Sequence, residues 1–105
     1  MMGLKVKEGN LEEIKKILTH DNKNDILCAT CQYGHLEIVK YLIEKCGADA
    51  RAENDFAVQE ACANGHLEIV KYLIEKCDAN VHNEDECAIM WACEGGHHEV
   101  VKYLI

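Results

Sequence analysis

No stretch of the 105 residues approaches the ~18 consecutive apolar residues of a membrane-crossing helix, so the chain is expected to work in water. The opening MMGLKVKEGN has neither the apolar core nor the small-residue cleavage site of a secretory leader. Positive charge is scarce: 11 Lys and Arg stand against 19 Asp and Glu, a formal net charge of −8. That balance argues against nucleic acid and anionic membrane as partners, because both select basic surfaces. Proline is absent, and Phe and Trp occur once each. No Gly-rich phosphate loop or nucleophile elbow is present, and the carboxylates show no paired pattern for acid–base work. The residues therefore point to no enzyme. Cysteine, by contrast, is plentiful. Seven of them, an odd number with no leader before them, indicate a reducing, cytoplasmic-type compartment. With 49% apolar and 29% charged residues the chain is globular rather than disordered, and its length suits one domain.

What the sequence does contain is repetition. GHLEIVKYLIEKC runs from Gly34 to Cys46 and again from Gly65 to Cys77, and GHHEVVKYLI follows from Gly96 to Ile105. The three glycines are 31 residues apart, and segments 34–64 and 65–95 share 18 of 31 positions. A weaker copy, GNLEEIKKIL, begins at Gly9, 25 residues before Gly34. Such a period marks stacked repeat units, here at about 1–24, 25–54, 55–85 and 86–105, the last one truncated. Within the repeated block Leu36, Val39 and Ile43, widened by Ile38 and Leu42, recur at helical spacing, while Glu37, Lys40 and Glu44 form one narrow polar ridge. This helix is expected to be buried on most of its circumference. The glycine before it suits the left-handed residue past the end of a preceding helix. The preceding helices are expected at 26–33, 56–64 and 87–95, and the second helices at 35–46, 66–77 and 97–105. Asn24-Asp25, Asn54-Asp55 and Asp85-Glu86 read as their N-terminal caps. About nine polar residues, such as GADARAEND, join successive units without the alternation of a strand.

GHLEIVKYLIEK followed by GADA resembles the second helix and loop of the ankyrin-repeat family, over nearly the whole chain and in register. The resemblance implies an all-α, ankyrin-type solenoid of stacked helix-turn-helix repeats with shortened loops. The family's Thr-Pro-Leu-His opening is missing: Asp25-Ile26-Leu27-Cys28, Phe56-Ala57-Val58-Gln59 and Cys87-Ala88-Ile89-Met90 stand in its place. Units with short loops, "ND" before the first helix and a Trp inside it are similar to ankyrin arrays of large amoeba-infecting DNA viruses. The family implies a non-enzymatic interaction module whose loops and first helices form the concave binding side. If the source is viral, its setting is the host cytoplasm.

Two kinds of residue compete for a functional role. Cys28-Ala-Thr-Cys31, with His35 nearby, could be a cysteine-ligated metal or thiol-redox site. Against that, Cys31, Cys62 and Cys93 are repeat-equivalent, as are Cys46 and Cys77. Stacked helices lie ~8–10 Å apart, beyond the ~7 Å Cα limit of a disulfide, and cysteine is a serviceable small hydrophobe. His35, His66 and His97 form a regular row too widely spaced to share a metal, which suits a structural role at the turn. His98 takes the core position of Leu36 and Leu67. No cofactor is expected.

Charge and aromatics supply the other candidates. Segments 47–64 and 78–95 hold nine acids against one base, which is the whole net charge. The candidate partner-binding residues are therefore Trp91, Tyr33, Gln32, Glu53, Asp55, Glu60, Glu84, Asp85, Glu86 and Glu94, facing a basic or mixed-charge segment of another protein. Loops can also be acidic simply because they are solvated. Trp91 replaces Ala29 and Glu60 and serves either as a binding anchor or as packing over the next unit. A purely structural spacer remains a third reading. The last unit leaves Val100, Val101, Leu104 and Ile105 at an apolar edge open to self-association or fraying.

Overall fold

The computed structural model describes residues 8–81 and 88–105. Among them all regular structure is helical: α1 (Leu11–Ile17), α2 (Lys23–Tyr33), α3 (Leu36–Glu44), α4 (Ala52–Ala63), α5 (Leu67–Cys77), α6 (Ala88–Glu94) and α7 (His98–Leu104). Each of α2, α4 and α6 turns back sharply into α3, α5 and α7. The first helices α2, α4 and α6 pack side by side, and the second helices α3, α5 and α7 form the other layer. The result is an all-α stack of helix-turn-helix units, elongated to 38 × 22 × 21 Å.

The repeated letters make the hairpin turn. Gly34, Gly65 and Gly96 adopt φ of 83°, 75° and 73°, a left-handed conformation costly for any residue with a Cβ. The histidine after each begins the second helix without capping it through its side chain. Its ring reaches back one unit instead: Nε2–H of His66 donates to the Gln32 carbonyl and that of His97 to the Ala63 carbonyl, each at 2.9 Å. The ring then lies so close to the preceding unit's glycine that only a missing Cβ leaves room. A Cβ on Gly34 would stand 2.6 Å from His66 Cε1, and one on Gly65 2.4 Å from His97 Nδ1. Glycine and histidine are thus two halves of one inter-unit joint. In the leading unit Asn10 occupies the histidine's place and caps its own helix, accepting from the Glu13 N–H at 3.3 Å.

Two further ladders repeat in register. Tyr72 donates to Glu44 and Tyr103 to Glu75, both at 2.7 Å, while Lys15, Lys40 and Lys71 lie over the rings of Tyr41, Tyr72 and Tyr103 at 5.0, 5.9 and 5.7 Å. On the loop side, Asn24 Oδ1 accepts from the Asp49 N–H at 2.7 Å and its equivalent Asp55 from the Asn80 N–H at 3.1 Å. Beneath these polar ties lies a continuous core including Ile26, Leu27, Val39, Leu42, Val58, Val70 and Leu73, all fully buried. Each such aliphatic side chain removed from water contributes about 1.5–3 kcal/mol.

Several expectations change in detail. Asn24-Asp25 do not cap α2, which starts at Lys23 after Asn22. Asp55 lies inside α4, whose first turn holds two left-handed residues, Glu53 (φ 56°) and Asp55 (φ 63°), so regular right-handed helix begins at Phe56. The inter-unit loops are not simply polar, since Ala48, Ala50 and Ala79 are buried in the core. The second helices bury a narrower face than expected: Ile38, Val39 and Leu42 are buried but Leu36 and Ile43 only half so. His98, read as a polar residue at a core position, is exposed, and the equivalent Leu36 and Leu67 are themselves only half-buried.

Candidate functional site

The first-helix layer carries two adjoining clefts. The larger, about 530 Å³, lies between α2 and α4, with Asp25, Glu53 and Glu60 set around Cys28, Ala29, Gln32 and Phe56. The smaller, about 210 Å³, lies between α4 and α6 and is lined by Phe56, Gln59, Glu60, Ala63 and Trp91. Phe56 and Glu60 wall both. Among the described residues, neither cleft has a lysine or arginine in its lining. On the second-helix layer the depression beside Tyr72 is mixed in charge, with Lys40 and Lys76 against Glu44.

Helix geometry explains why these groups converge. Phe56 and Glu60 are four residues apart on α4 and so share one face, a turn apart. Glu60 and Trp91 occupy the same place in units 31 residues apart, on neighbouring helices. Ala29 holds that place in α2, and its small side chain leaves the volume of the larger cleft open. Phe56 and Trp91 are 39% and 40% exposed, an unusual state for the chain's single Phe and single Trp, since large aromatic surface in water is a hydrophobic cost. Glu60 is partly desolvated there, and that burial pushes its carboxyl pKa above the usual value. Among the described residues no cation pairs with it.

Of the CxxC pair, Cys28 lines the larger cleft and Cys31 is fully buried, and neither has the electrostatics of a reactive site. Burial, followed by the charges of Asp25, Glu60 and Glu53, pushes the Cys28 thiol up to about 11. Burial likewise holds Cys31 well above the ordinary thiol range. Both remain protonated at neutral pH, whereas metal ligation and thiol exchange need the thiolate. The six described cysteines are free. Among the described residues no three His, Cys, Asp or Glu side chains are grouped to hold a metal ion, and no helix is long and apolar enough to cross a membrane.

Of the residues singled out from the sequence, Gln32, Glu53, Glu60 and Trp91 come together along the two clefts. Tyr33 and Glu94 are exposed at the ends of α2 and α6 and line neither. Asp55 is a correction. It is only 5% exposed, and its carboxylate is committed to the Asn80 N–H and to Arg51 Nε at 3.5 Å, so it holds a loop rather than facing a partner. Glu84, Asp85 and Glu86 lie outside the described residues. Phe56, Asp25 and Gln59 belong to the clefts but were not among the sequence candidates. The signal for Phe56 was available: it is the chain's only Phe, one helical turn before Glu60.

Comparison with known proteins agrees with this architecture. The family model for ankyrin repeats in three copies matches residues 2–85 and 27–105. An ankyrin repeat protein of Acanthamoeba polyphaga mimivirus is 44% identical over 44 residues, which are 42% of this chain and 17% of that protein. The matched segment thus spans about a sixth of that relative's length. With helix pairs, glycine turns and family match all in one register, the chain belongs to the ankyrin-repeat family.

Proposed function

We propose that this chain is a non-enzymatic protein-interaction module whose first-helix face binds a basic or mixed-charge segment of another protein. Ankyrin repeats in general serve protein–protein interaction. The observation that carries the particular reading is the pair of adjoining clefts, walled by carboxylates and two exposed aromatics, with no basic residue in the lining among the described residues. Aromatic side chains centred in an interface supply most of its binding energy. Carboxylates such as Glu53 at the rim set the association rate and its salt dependence. Glu84 and Glu86 add negative charge to the same stretch of sequence. A reducing, cytoplasmic setting, the host cytoplasm if the source is viral, suits a chain with seven cysteines.

The test begins with affinity capture from lysate of the source or host and identification of the bound protein by mass spectrometry. The dissociation constant is then measured for the wild type and for Trp91→Ala at several salt concentrations. Truncating a central aromatic is expected to cost about 2 kcal/mol or more, whereas Glu84→Ala alone should barely change affinity at physiological salt. Thermal unfolding of Trp91→Ala, measured alongside, separates lost contact from lost fold. A partner that binds Trp91→Ala as tightly as wild type, and is indifferent to salt, binds elsewhere, and the reading fails.

A further inference from the structure

Resting on that reading, we propose that the cleft formed by Phe56, Glu60 and Trp91 is a slot for a single arginine side chain of the bound segment. The guanidinium seats against the two rings and pairs with the Glu60 carboxylate.

The argument starts from what the other enclosed carboxylates do. Asp55 is paired with Arg51 and the Asn80 N–H, and half-buried Glu13 is paired with Lys16 at 3.5 Å. Glu60 alone of these is left facing a cleft with no partner among the described residues. An anion placed in partly desolvated surroundings without a counter-charge is unfavourable, and burial does raise its pKa. A cation entering the cleft would relieve that cost.

The walls select which cation. One aromatic lies a helical turn from Glu60 on the same helix, and the other sits at the equivalent position of the next one. Ala63 and Gln59 are the other described residues of the lining, and none of these carries positive charge. Lysine's ammonium is compact and strongly hydrated, so an apolar-walled slot of about 210 Å³ would strip water it needs. Guanidinium is planar, more weakly hydrated, stacks on aromatic faces and presents a donor fork matched to a carboxylate. Both of its preferences are met here by neighbouring residues.

The chain's single tryptophan reports on the slot directly. The whole protein is titrated, following Trp91 fluorescence, with three blocked tripeptides, acetyl-Gly-Xaa-Gly-amide, where Xaa is arginine, lysine or the neutral isostere citrulline. The arginine peptide should give a saturable change, the lysine peptide should bind at least about fivefold more weakly, and citrulline should give none. Glu60→Gln should weaken the arginine titration about tenfold or more. Phe56→Leu, which keeps an apolar residue there, should weaken it severalfold. Citrulline acting as well as arginine, no saturable response to arginine, or an unchanged titration in Glu60→Gln would each overturn the slot. Equal binding of lysine and arginine, abolished by salt, overturns the slot but leaves the basic-segment reading standing. That broader reading falls only if the captured partner also ignores Trp91→Ala and salt.

Discussion

The three turn glycines offer an internal control for how the units are joined. Their φ angles fall between 73° and 83°, so placing an L-residue at any of them carries the same left-handed cost of about 1–2 kcal/mol. Their surroundings differ. A methyl on Gly34 or Gly65 would lie 2.6 or 2.4 Å from the ring of His66 or His97, whereas one on Gly96 would meet nothing within 4 Å. Each ring is held by a 2.9 Å bond to a carbonyl of the unit before, so it cannot yield without straining or losing a bond worth about 1 kcal/mol net. Overpacking of this kind adds about 1–3 kcal/mol. Gly96→Ala should therefore cost about 1–2 kcal/mol, and Gly34→Ala and Gly65→Ala about 2–5 kcal/mol. The smaller entropy of an unfolded chain with Ala in place of Gly is common to all three and cancels in the comparison. Urea unfolding followed by far-UV circular dichroism measures the differences, provided that the m-values agree, since repeat arrays can lose two-state behaviour. The steric part should also appear as coupling: combining Gly65→Ala with His97→Ala should cost about 1–3 kcal/mol less than the sum of the two singles. If the three glycine variants cost the same within about 0.5 kcal/mol, or if the pair shows no coupling, the rings do not constrain the glycines and this account of the joint is wrong.

Other outcomes follow from burial and protonation. Maleimide labelling of the native protein at neutral pH, mapped by mass spectrometry, should modify exposed Cys93 first and leave buried Cys31 and Cys62 untouched until unfolding; Cys28 labelling as fast as Cys93 would contradict its raised pKa. Because the Cys28 thiol rises from 9.0 to about 11 in the fold, the native state retains a proton there that the unfolded chain releases. Stability should therefore be level below pH 9.0 and fall as pH rises from there through about 11; melting temperatures that climb across that window would refute the assignment, and Cys28→Ala should flatten the fall. Amide exchange should be faster in α7 than in α5, because Val101 and Leu104 are only half-covered and Ile105 is 90% exposed; equal protection of 98–104 and 67–77 in a confirmed monomer would count against an uncovered C-terminal edge.

The parts legible in the sequence were those written identically in each unit. The glycine turn and the histidine that follows it recur at 34–35, 65–66 and 96–97, and the apolar stripe of the second helix recurs with changes only at His98 and Val100 in the last copy; in a stack identical letters make identical joints. The first helices were read less well because their starts are fixed by contacts far along the chain. "ND" looked like a local cap, yet the 31-residue register pairs Asn24 with Asp55, and each spends its side chain on a backbone N–H 25 residues further on. Nothing local marks that bond. The alanines of GADA were likewise hidden in a run that looks polar, although Ala48 and Ala50 are core.

The candidate site obeys the opposite logic. Repetition supplies a platform of equivalent positions, and binding specificity can reside only where the copies disagree. The series 29, 60 and 91 reads Ala, Glu, Trp, and 25, 56 and 87 reads Asp, Phe, Cys. In α2 and α4 they fall one helical turn apart, 25 with 29 and 56 with 60, so their variation is concentrated on one face rather than scattered through the core. A change there costs the stack little, whereas a change at Gly65 or His97 would break a joint. Freedom from the packing constraint is what allows a carboxylate and two aromatics to be brought side by side on this fold.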